Sequence, residues 1–399
     1  MGKTMKKIMI LGAGVYQVPL IRAARRMGLY TIVMSIPGEY PGFALADKKI
    51  YQDTADAEAV LAIAKREGIS GICTTGTDVC IHTLGVVNEA LGLKGLGIEG
   101  STIAGRKALM KDVYREHGVN TARYRHVLLR TPIEVVAGIC GKIGYPVMFK
   151  AIDSSGSRGI TRVDSPEGIE KAIESVKAVT RSDEYLVEET LDGEEYGAEA
   201  FVQDGKLEFM LLNGKYIFQG ATGVPVGHYA PYGTPEIEER SREQLEKAVR
   251  AMKLNNCAVN VDFMRCGDKV YVLEIGARGG GTCLGELVSL YYGYDYYEKM
   301  IRVALGEKVD FSPANKERVP NASHLLMSGR TGTIKSVTNG NEPSGDIFDI
   351  SFDYGPGDHV TAFSIGPHRI GQVITTGATV EEARRTLEKA MANIRIEIM

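Results

Sequence analysis

Apolar residues in the first hundred positions come in two alternating rhythms. Short continuous runs at Ile8 to Leu11, Tyr30 to Met34 and Gly71 to Thr74 alternate with segments of helical spacing at Pro19 to Met27, Ala57 to Glu67 and Val79 to Leu91. Continuous apolar runs this short suit strands buried on both faces, and the segments between them suit the crossover helices that join parallel strands. Residues 1–100 are therefore expected to form a doubly wound, Rossmann-like α/β domain.

The rhythm changes past residue 100. A helix is expected over Ser101 to His117, ended by Gly118 in a left-handed cap. Strand-like segments at Pro146 to Lys150, Tyr185 to Glu188, Glu199 to Gln203 and Val270 to Ile275 then mix with helices near Pro166 to Val179 and Pro235 to Lys253, an α+β pattern running over 101–310. From about Phe311 to the last residue, 399, short strands are punctuated by Gly, Asn, Pro and Asp and followed by a helix from Thr379 to Ala392, with Thr379 as N-cap. This reads as a small β-rich module. No tandem repeat or low-complexity linker separates the three parts.

Composition narrows the class. With 44% hydrophobic and 24% charged residues, the chain can bury a core and stay hydrated, so a globular protein of two or three packed units is expected from 399 residues. A formal charge of -3 supplies no basic field for nucleic acid. Six widely spaced cysteines, Cys73, Cys80, Cys140, Cys257, Cys266 and Cys283, form no C-x-x-C pair and point to reduced thiols in a cytoplasmic protein. The basic start Met1 to Lys7 leads into an apolar run too short for a secretion signal, and no later stretch reaches membrane-spanning length.

Four segments carry candidate chemistry. Gly12-Ala-Gly14 follows the first strand, but the third glycine place of a dinucleotide fingerprint holds Gln17, and the second strand ends at Ser35 where NAD binding uses a carboxylate. The segment Tyr145-Pro-Val-Met-Phe-Lys150 delivers a lysine beside the Gly/Ser run Asp153-Ser-Ser-Gly-Ser-Arg-Gly159, a pairing that can surround a triphosphate with one fixed cation and several backbone amides. Glu188 and Glu195 flank a turn at Gly193 and can offer acceptors from two consecutive elements. Finally, Asp262 and Glu274 lie on two strands joined at Gly267-Asp268, in runs that otherwise look buried, so a cation is expected between them.

In this order and spacing, and with Lys107 in Gly105-Arg-Lys-Ala-Leu-Met-Lys111 and Arg278 after the metal strand, these segments resemble the ATP-grasp superfamily over nearly the whole chain. Ile10-Leu-Gly-Ala-Gly14 with Gln17, Ala46-Asp47, and Gly377-Ala-Thr-Val-Glu-Glu-Ala-Arg384 look like its carboxylate-amine ligase branch, relatives of carbamoyl phosphate synthase and L-amino-acid ligases. The resemblance implies a pre-ATP-grasp domain, an ATP-grasp domain with a nucleotide lid at about residues 122–188, and cofactors ATP and Mg2+. It implies phosphate contacts from Lys107 and Lys150, a cover of Ser154, Ser155, Gly156, Ser157 and Gly159 over the β- and γ-phosphates, adenine at Glu188 and Glu189, and ribose at Glu195. Asp262 and Glu274 would hold Mg2+, and Arg278 would stabilise the acyl phosphate and the tetrahedral intermediate. Lys215 and His228 fall where loops of this superfamily meet substrate.

The expected activity is the joining of a small-molecule carboxylate to an amine, with ADP and phosphate released and no nucleic-acid or membrane partner. A homodimer is the default expectation. One departure matters: the usual Glu-x-Asn-x-Arg pattern holds Gly276 at the Asn place, which puts a second metal in doubt and keeps a catalytically silent ATP-binding module as the alternative. Asn260, on the same strand face as Asp262, is the candidate substitute donor. An NAD-dependent oxidoreductase is a further alternative, resting on Gly12 and Gly14. Substrate identities are set by loop shape and are not specified by the fold.

Overall fold

The structure, a computed structural model, describes residues 5–153, 159–219 and 223–399. The apolar runs at the start form a four-stranded parallel sheet in the order Lys48–Tyr51, Tyr30–Ser35, Lys7–Leu11, Gly71–Cys73. Helices Val18–Arg26, Ala57–Glu67 and Ile81–Leu91 follow the expected segments closely. Ala57–Glu67 shows why its ends fall where they do. Asp56 accepts a hydrogen bond from the Ala59 amide at the start, and Gly68 adopts φ 62° at the finish, a left-handed turn that costs glycine nothing.

The expected single helix over Ser101 to His117 is two: Ile98–Ala104 and Lys107–Glu116. Gly105 is a poor helix former and Arg106 is extended, so the chain bends and Lys107 becomes the first residue of a new helix at the rim of a cavity. Gly118 does take a left-handed φ of 68° just beyond it.

A second, small sheet of antiparallel strands runs Tyr124–Leu128, Glu184–Glu189, Val147–Ala151, Ile160–Val163. It packs helices Ile133–Ile143 and Ile169–Lys177 around a core of its own that includes Val136, Phe149, Ala172 and Tyr185.

The third sheet is the frame of the molecule. Eight antiparallel strands run in the order Lys269–Gly276, Cys257–Cys266, Glu194–Gln203, Lys206–Ile217, Pro225–Ala230, Asn321–Leu326, Gly371–Thr376, Ile347–Phe352. The last three strands come from the β-rich C-terminal stretch, so that stretch extends the central sheet as well as carrying the three-stranded sheet of His359–Val360, Gly332–Asn339 and Ile394–Ile398. Thr379 caps helix Val380–Ala392 by accepting from the Glu382 amide, as expected.

Tyr292, Tyr296 and Tyr297 are buried in one apolar cluster with Ile8, Leu20 and Val33 of the first sheet and Phe201 and Phe209 of the large one. The tyrosine-rich segment is therefore the packing layer that fixes the first sheet against the central sheet. Among the described residues no helix is long and apolar enough to cross a membrane.

Candidate active site

The site is built on the hairpin of strands Cys257–Cys266 and Lys269–Gly276. Its two-residue turn, Gly267-Asp268, needs the left-handed φ of 57° that Gly267 supplies. A β-bulge between Asp262 and Phe263 shifts the register set by this turn, so that Asp262 lies opposite Glu274 and Asn260 opposite Gly276, all on one face because strand side chains alternate. The same face continues onto strand Glu194–Gln203, where Gly197 lies beside Asp262 and Glu199 beside Asn260.

The Asp262 and Glu274 side chains are each 39% exposed, which corrects the expectation that they are buried: they open into a cavity of about 570 Å3. Each is held by its own lysine. Lys215 Nζ donates to Asp262 Oδ1 at 2.6 Å and to Glu195 Oε1 at 2.7 Å, while Lys107 Nζ lies 2.9 Å from Glu274 Oε2. Gly197 makes the first of these possible, since a Cβ there would come within 3.4 Å of Lys215 Cε and 2.9 Å of Asn213 Oδ1. Burial pulls the Lys215 ammonium down, but Asp262 and Glu195 outweigh it and raise its pKa. Partial desolvation inside the cavity opposes the Asp262 charge, but the Lys215 ammonium holds its carboxyl below the usual carboxylate range.

On the opposite wall Glu188 is buried with two ammonium groups, Lys150 Nζ at 2.7 Å and Lys111 Nζ at 3.4 Å from Oε2. Burial would raise the Glu188 carboxyl, yet Lys111 and Lys150 bring it down to about 2. Burial lowers Lys111 to about 8 with help from the Lys150 charge. Neighbouring Glu189 is turned to Arg123, which approaches it at 3.0 Å. Of the glycine-rich loop, Gly159 has φ 68° and its carbonyl accepts from Ala151 N at 3.0 Å. The expected phosphate contacts at Ser154, Ser155, Gly156 and Ser157 lie outside the described residues.

His228 corrects the sequence reading in kind. It is on strand Pro225–Ala230 rather than in a loop, is 4% exposed, and lies across from Lys215 with its Nδ1 3.1 Å from Asn213 Oδ1. Burial and the Lys215 charge push it down to about 3, so its ring is neutral at ordinary pH and does not ferry protons there.

Arg278 follows the hairpin and lines the same cavity. Its Nη2 donates to Asp78 Oδ2 at 2.9 Å and its Nη1 to Asn260 Oδ1 at 3.0 Å. The Asn260 oxygen, read from the sequence as a substitute metal donor, thus already accepts from Arg278. A Cβ at Gly276 would meet Arg278 Cζ and Asp78 Oδ1 at 3.1 Å each, so the place of the missing Asn is taken by this ion pair.

The donor set fits Mg2+: two facing carboxylates open to a cavity supply hard oxygens, and a magnesium ion completes its shell with phosphate oxygens and water. Among the described residues no group of three or more His, Cys, Asp and Glu is placed to enclose a metal by itself.

The sequence reading passed over Asp78, Lys111, Asn213 and Glu199. Lys111 was signalled by its i,i+4 spacing from Lys107, Glu199 by its period-two spacing from Glu195, and Asp78 by its place beyond the carboxyl end of a parallel strand. Asn213 was signalled in the same way as Glu199, by lying two residues from Lys215 on one strand.

A second cavity, of about 1180 Å3, opens over the carboxyl ends of the first sheet, lined by Gly12 to Gln17, Tyr40, Asp53, Tyr354 and Arg369. Gln17 is buried, donates to the Thr75 carbonyl and folds over Gly12, where an added Cβ would meet its Cδ at 2.8 Å. A side chain thus fills the turn that a dinucleotide fingerprint leaves to glycine. Tyr16 borders this second cavity, Thr282 borders the first, and their hydroxyls are 3.3 Å apart.

Comparison with known proteins places these features. Residues 143–286 match the ATP-grasp domain family and residues 324–399 match L-amino acid ligase C-terminal domain 2. The chain is similar to phosphoribosylglycinamide synthetase from Anaerococcus prevotii, with 31% identity, a TM-score of 0.84, and 99% of this chain and 100% of that one covered. The fold is also that of L-amino acid ligase from Bacillus licheniformis, at 18% identity and a TM-score of 0.81 with 100% of both chains covered. A formate-dependent phosphoribosylglycinamide formyltransferase from Methanocella arvoryzae is 25% identical over 98% of this chain and 92% of its own length.

Proposed function

Because this chain belongs to the ATP-grasp family, in its carboxylate-amine ligase branch, we propose that it joins a small carboxylate to an amine at the cavity floored by Asp262 and Glu274. ATP and Mg2+ are the cofactors of such ligases, which form the C–N bond through an acyl phosphate and release ADP. The observation that carries the reading is the convergence of Lys107, Lys150, Asp262, Glu274 and Arg278, from four separate elements and a loop, on one cavity.

In this reading Lys107 and Lys150 leave their carboxylate partners in part to neutralise phosphate oxygens. Glu188 keeps Lys150 aimed, Glu189 to Leu191 border the adenine, and Glu195 takes a ribose hydroxyl. Asp262 and Glu274 would hold Mg2+, which would supply Lewis-acid stabilisation of the phosphoryl charge. Arg278 receives the carboxylate and stabilises the oxyanion that forms when the amine attacks. Neutral His228 offers its ring as a hydrogen-bond acceptor to the bound substrate.

The amine is held in the second cavity and reaches the first past Tyr16 and Asp78. Thr77 and Val79 line the second cavity while Asp78 between them lines the first, which supports this route. The free state of all six cysteines supports a cytoplasmic setting.

An ADP-release screen tests the proposal. Wild-type protein with MgATP is mixed with formate, acetate, dicarboxylates and L-amino acids, each against ammonia, amino acids and phosphoribosylglycinamide. At least one pair is expected to release ADP, and Arg278→Ala to lower that rate by about 100-fold or more while MgADP still binds. No ADP release from any pair, or full activity in the Arg278 variant, would overturn it.

A further inference from the structure

We propose that Asn260 and Glu199 are a positioning pair for Arg278, holding its guanidinium in the space that Gly276 leaves open. The proposal rests on the ligase reading for Arg278's role, but its geometry is independent of it.

Arg278 is gripped from two sides. Asp78, from the loop beyond the first sheet, accepts from Nη2 at 2.9 Å, and Asn260, on the hairpin, accepts from Nη1 at 3.0 Å. Among the described residues Nε has no partner, so these two bonds fix the guanidinium plane. The grips differ in kind. The Asp78 side chain is 31% exposed and anionic, so an incoming anion competes with it directly. Asn260 is neutral and leaves the arginine its whole charge, and its bond survives the exchange.

Asn260 can accept from Arg278 only if its amide is turned the right way round, and Glu199 fixes that orientation. Asn260 Nδ2 donates to Glu199 Oε1 at 2.7 Å, so Oδ1 is the atom presented to the arginine. The same Oε1 accepts from Gly280 N at 3.0 Å and so ties down the backbone two residues past Arg278. Gly279 is fixed in turn by the Gly76 amide, which donates to its carbonyl at 2.9 Å. Glu199 has no exposed surface and its Oε2 finds no partner among the described residues. A buried carboxyl group is costly in a sheet interior, and apolar residues would fill this place at less cost if packing were all it did.

Gly276 completes the device. Any side chain at 276 meets the guanidinium carbon and the Asp78 oxygen at 3.1 Å, closer than ordinary contact. In this chain the Asn place of the metal strand has become room for a latched arginine.

The test reads the arginine without any substrate. Phenylglyoxal labelling of Arg278 is followed by peptide mass mapping, with Arg369, which Asp353 and Gln372 hold in a separate cluster, as internal reference. Asn260→Ala and Glu199→Leu are expected to label at Arg278 about tenfold faster than wild type, the effect of losing one charge-assisted hydrogen bond. Glu199→Gln, which keeps the acceptor oxygen, is expected to label at the wild-type rate. Gly276→Ala, on the cavity wall and outside the buried Asn260 and Glu199 pair, is the second variant, and it too is expected to label faster. Unchanged labelling in Asn260→Ala and Gly276→Ala, or equal labelling in Glu199→Gln and Glu199→Leu, would sink the proposal. Failure of the ligase reading is seen separately, as wild-type protein that releases no ADP.

Discussion

Asp262 and Glu274 face each other across the hairpin, yet each is neutralised by a lysine from a different part of the chain, Lys215 at 2.6 Å and Lys107 at 2.9 Å. Without Mg2+ the two ammonium groups do part of a cation's work. In the proposed function a metal arriving at Asp262 and Glu274 would compete with lysines already in place, and a lysine displaced from its carboxylate would be free to meet phosphate. The two lysines limit the repulsion that the facing carboxylates would otherwise suffer.

Lys215→Met separates the two cations. Without the lysine, Asp262 and Glu195 lose their common partner, and the variant is expected to be less stable by about 1–3 kcal/mol in metal-free buffer. Mg2+ with ADP binds the folded state only, so it raises the unfolding temperature of both proteins. The rise is expected to be larger in Lys215→Met, because no ammonium competes for Asp262. Differential scanning fluorimetry with and without MgADP measures this. Equal rises in the two proteins would mean that Lys215 and the metal do not share Asp262.

Glu188 gives the fold a sensitivity to acid. Its folded-state pKa is depressed from 4.5 to about 2 by Lys111 and Lys150 acting against burial. A carboxyl depressed in the folded state contributes stability above its unfolded pKa and loses it as pH falls through the folded value. The window is therefore from 4.5 down to about 2. Wild-type protein is expected to lose up to about 3 kcal/mol through this window that Glu188→Gln does not lose. Urea unfolding at mildly acidic and strongly acidic pH reads the difference, and parallel losses in the two proteins would remove Glu188 from the account.

Much of this arrangement was legible because it follows from local rules. The Gly267-Asp268 turn makes a hairpin that brings Asp262 and Glu274 near each other, and a β-bulge between Asp262 and Phe263, which the sequence does not announce, sets them directly opposite. The apolar runs of the first hundred residues announced a parallel sheet because buried strands leave that mark. What escaped is long-range. His228 sits in a segment rich in Gly, Pro and Tyr that reads as loop, yet it pairs as a strand between Lys206–Ile217 and Asn321–Leu326, nearly a hundred residues onward, and only that pairing buries it. The Asp78 to Arg278 bond joins positions 200 apart, a contact that no periodicity encodes. Gly276 read as a missing ligand because the sequence shows only the side chain that is absent, while the structure shows the guanidinium that takes its room.

Glu199 ties the positioning of Arg278 to pH in a direction opposite to that of Glu188. Burial raises its pKa from 4.5 to about 8, more than the Gly280 amide, Arg278 and Asn260 bring it back. A carboxyl raised in the folded state holds its proton there while the unfolded chain has already released one. Its stabilising contribution is complete below 4.5 and is lost as pH rises to about 8. Glutamine has the shape of the protonated acid and does not titrate, so Glu199→Gln is expected to gain on wild type over this interval by a few kcal/mol, up to about 5. The unfolding free energies of the two proteins should therefore be similar at mildly acidic pH and diverge in favour of the variant at mildly alkaline pH. If they stay parallel from one end of the interval to the other, Glu199 is ionised throughout in the folded protein. The neutral acid in the Asn260 to Arg278 chain would then have to be replaced by an anion, and the full charge left to Arg278 would be partly cancelled from behind.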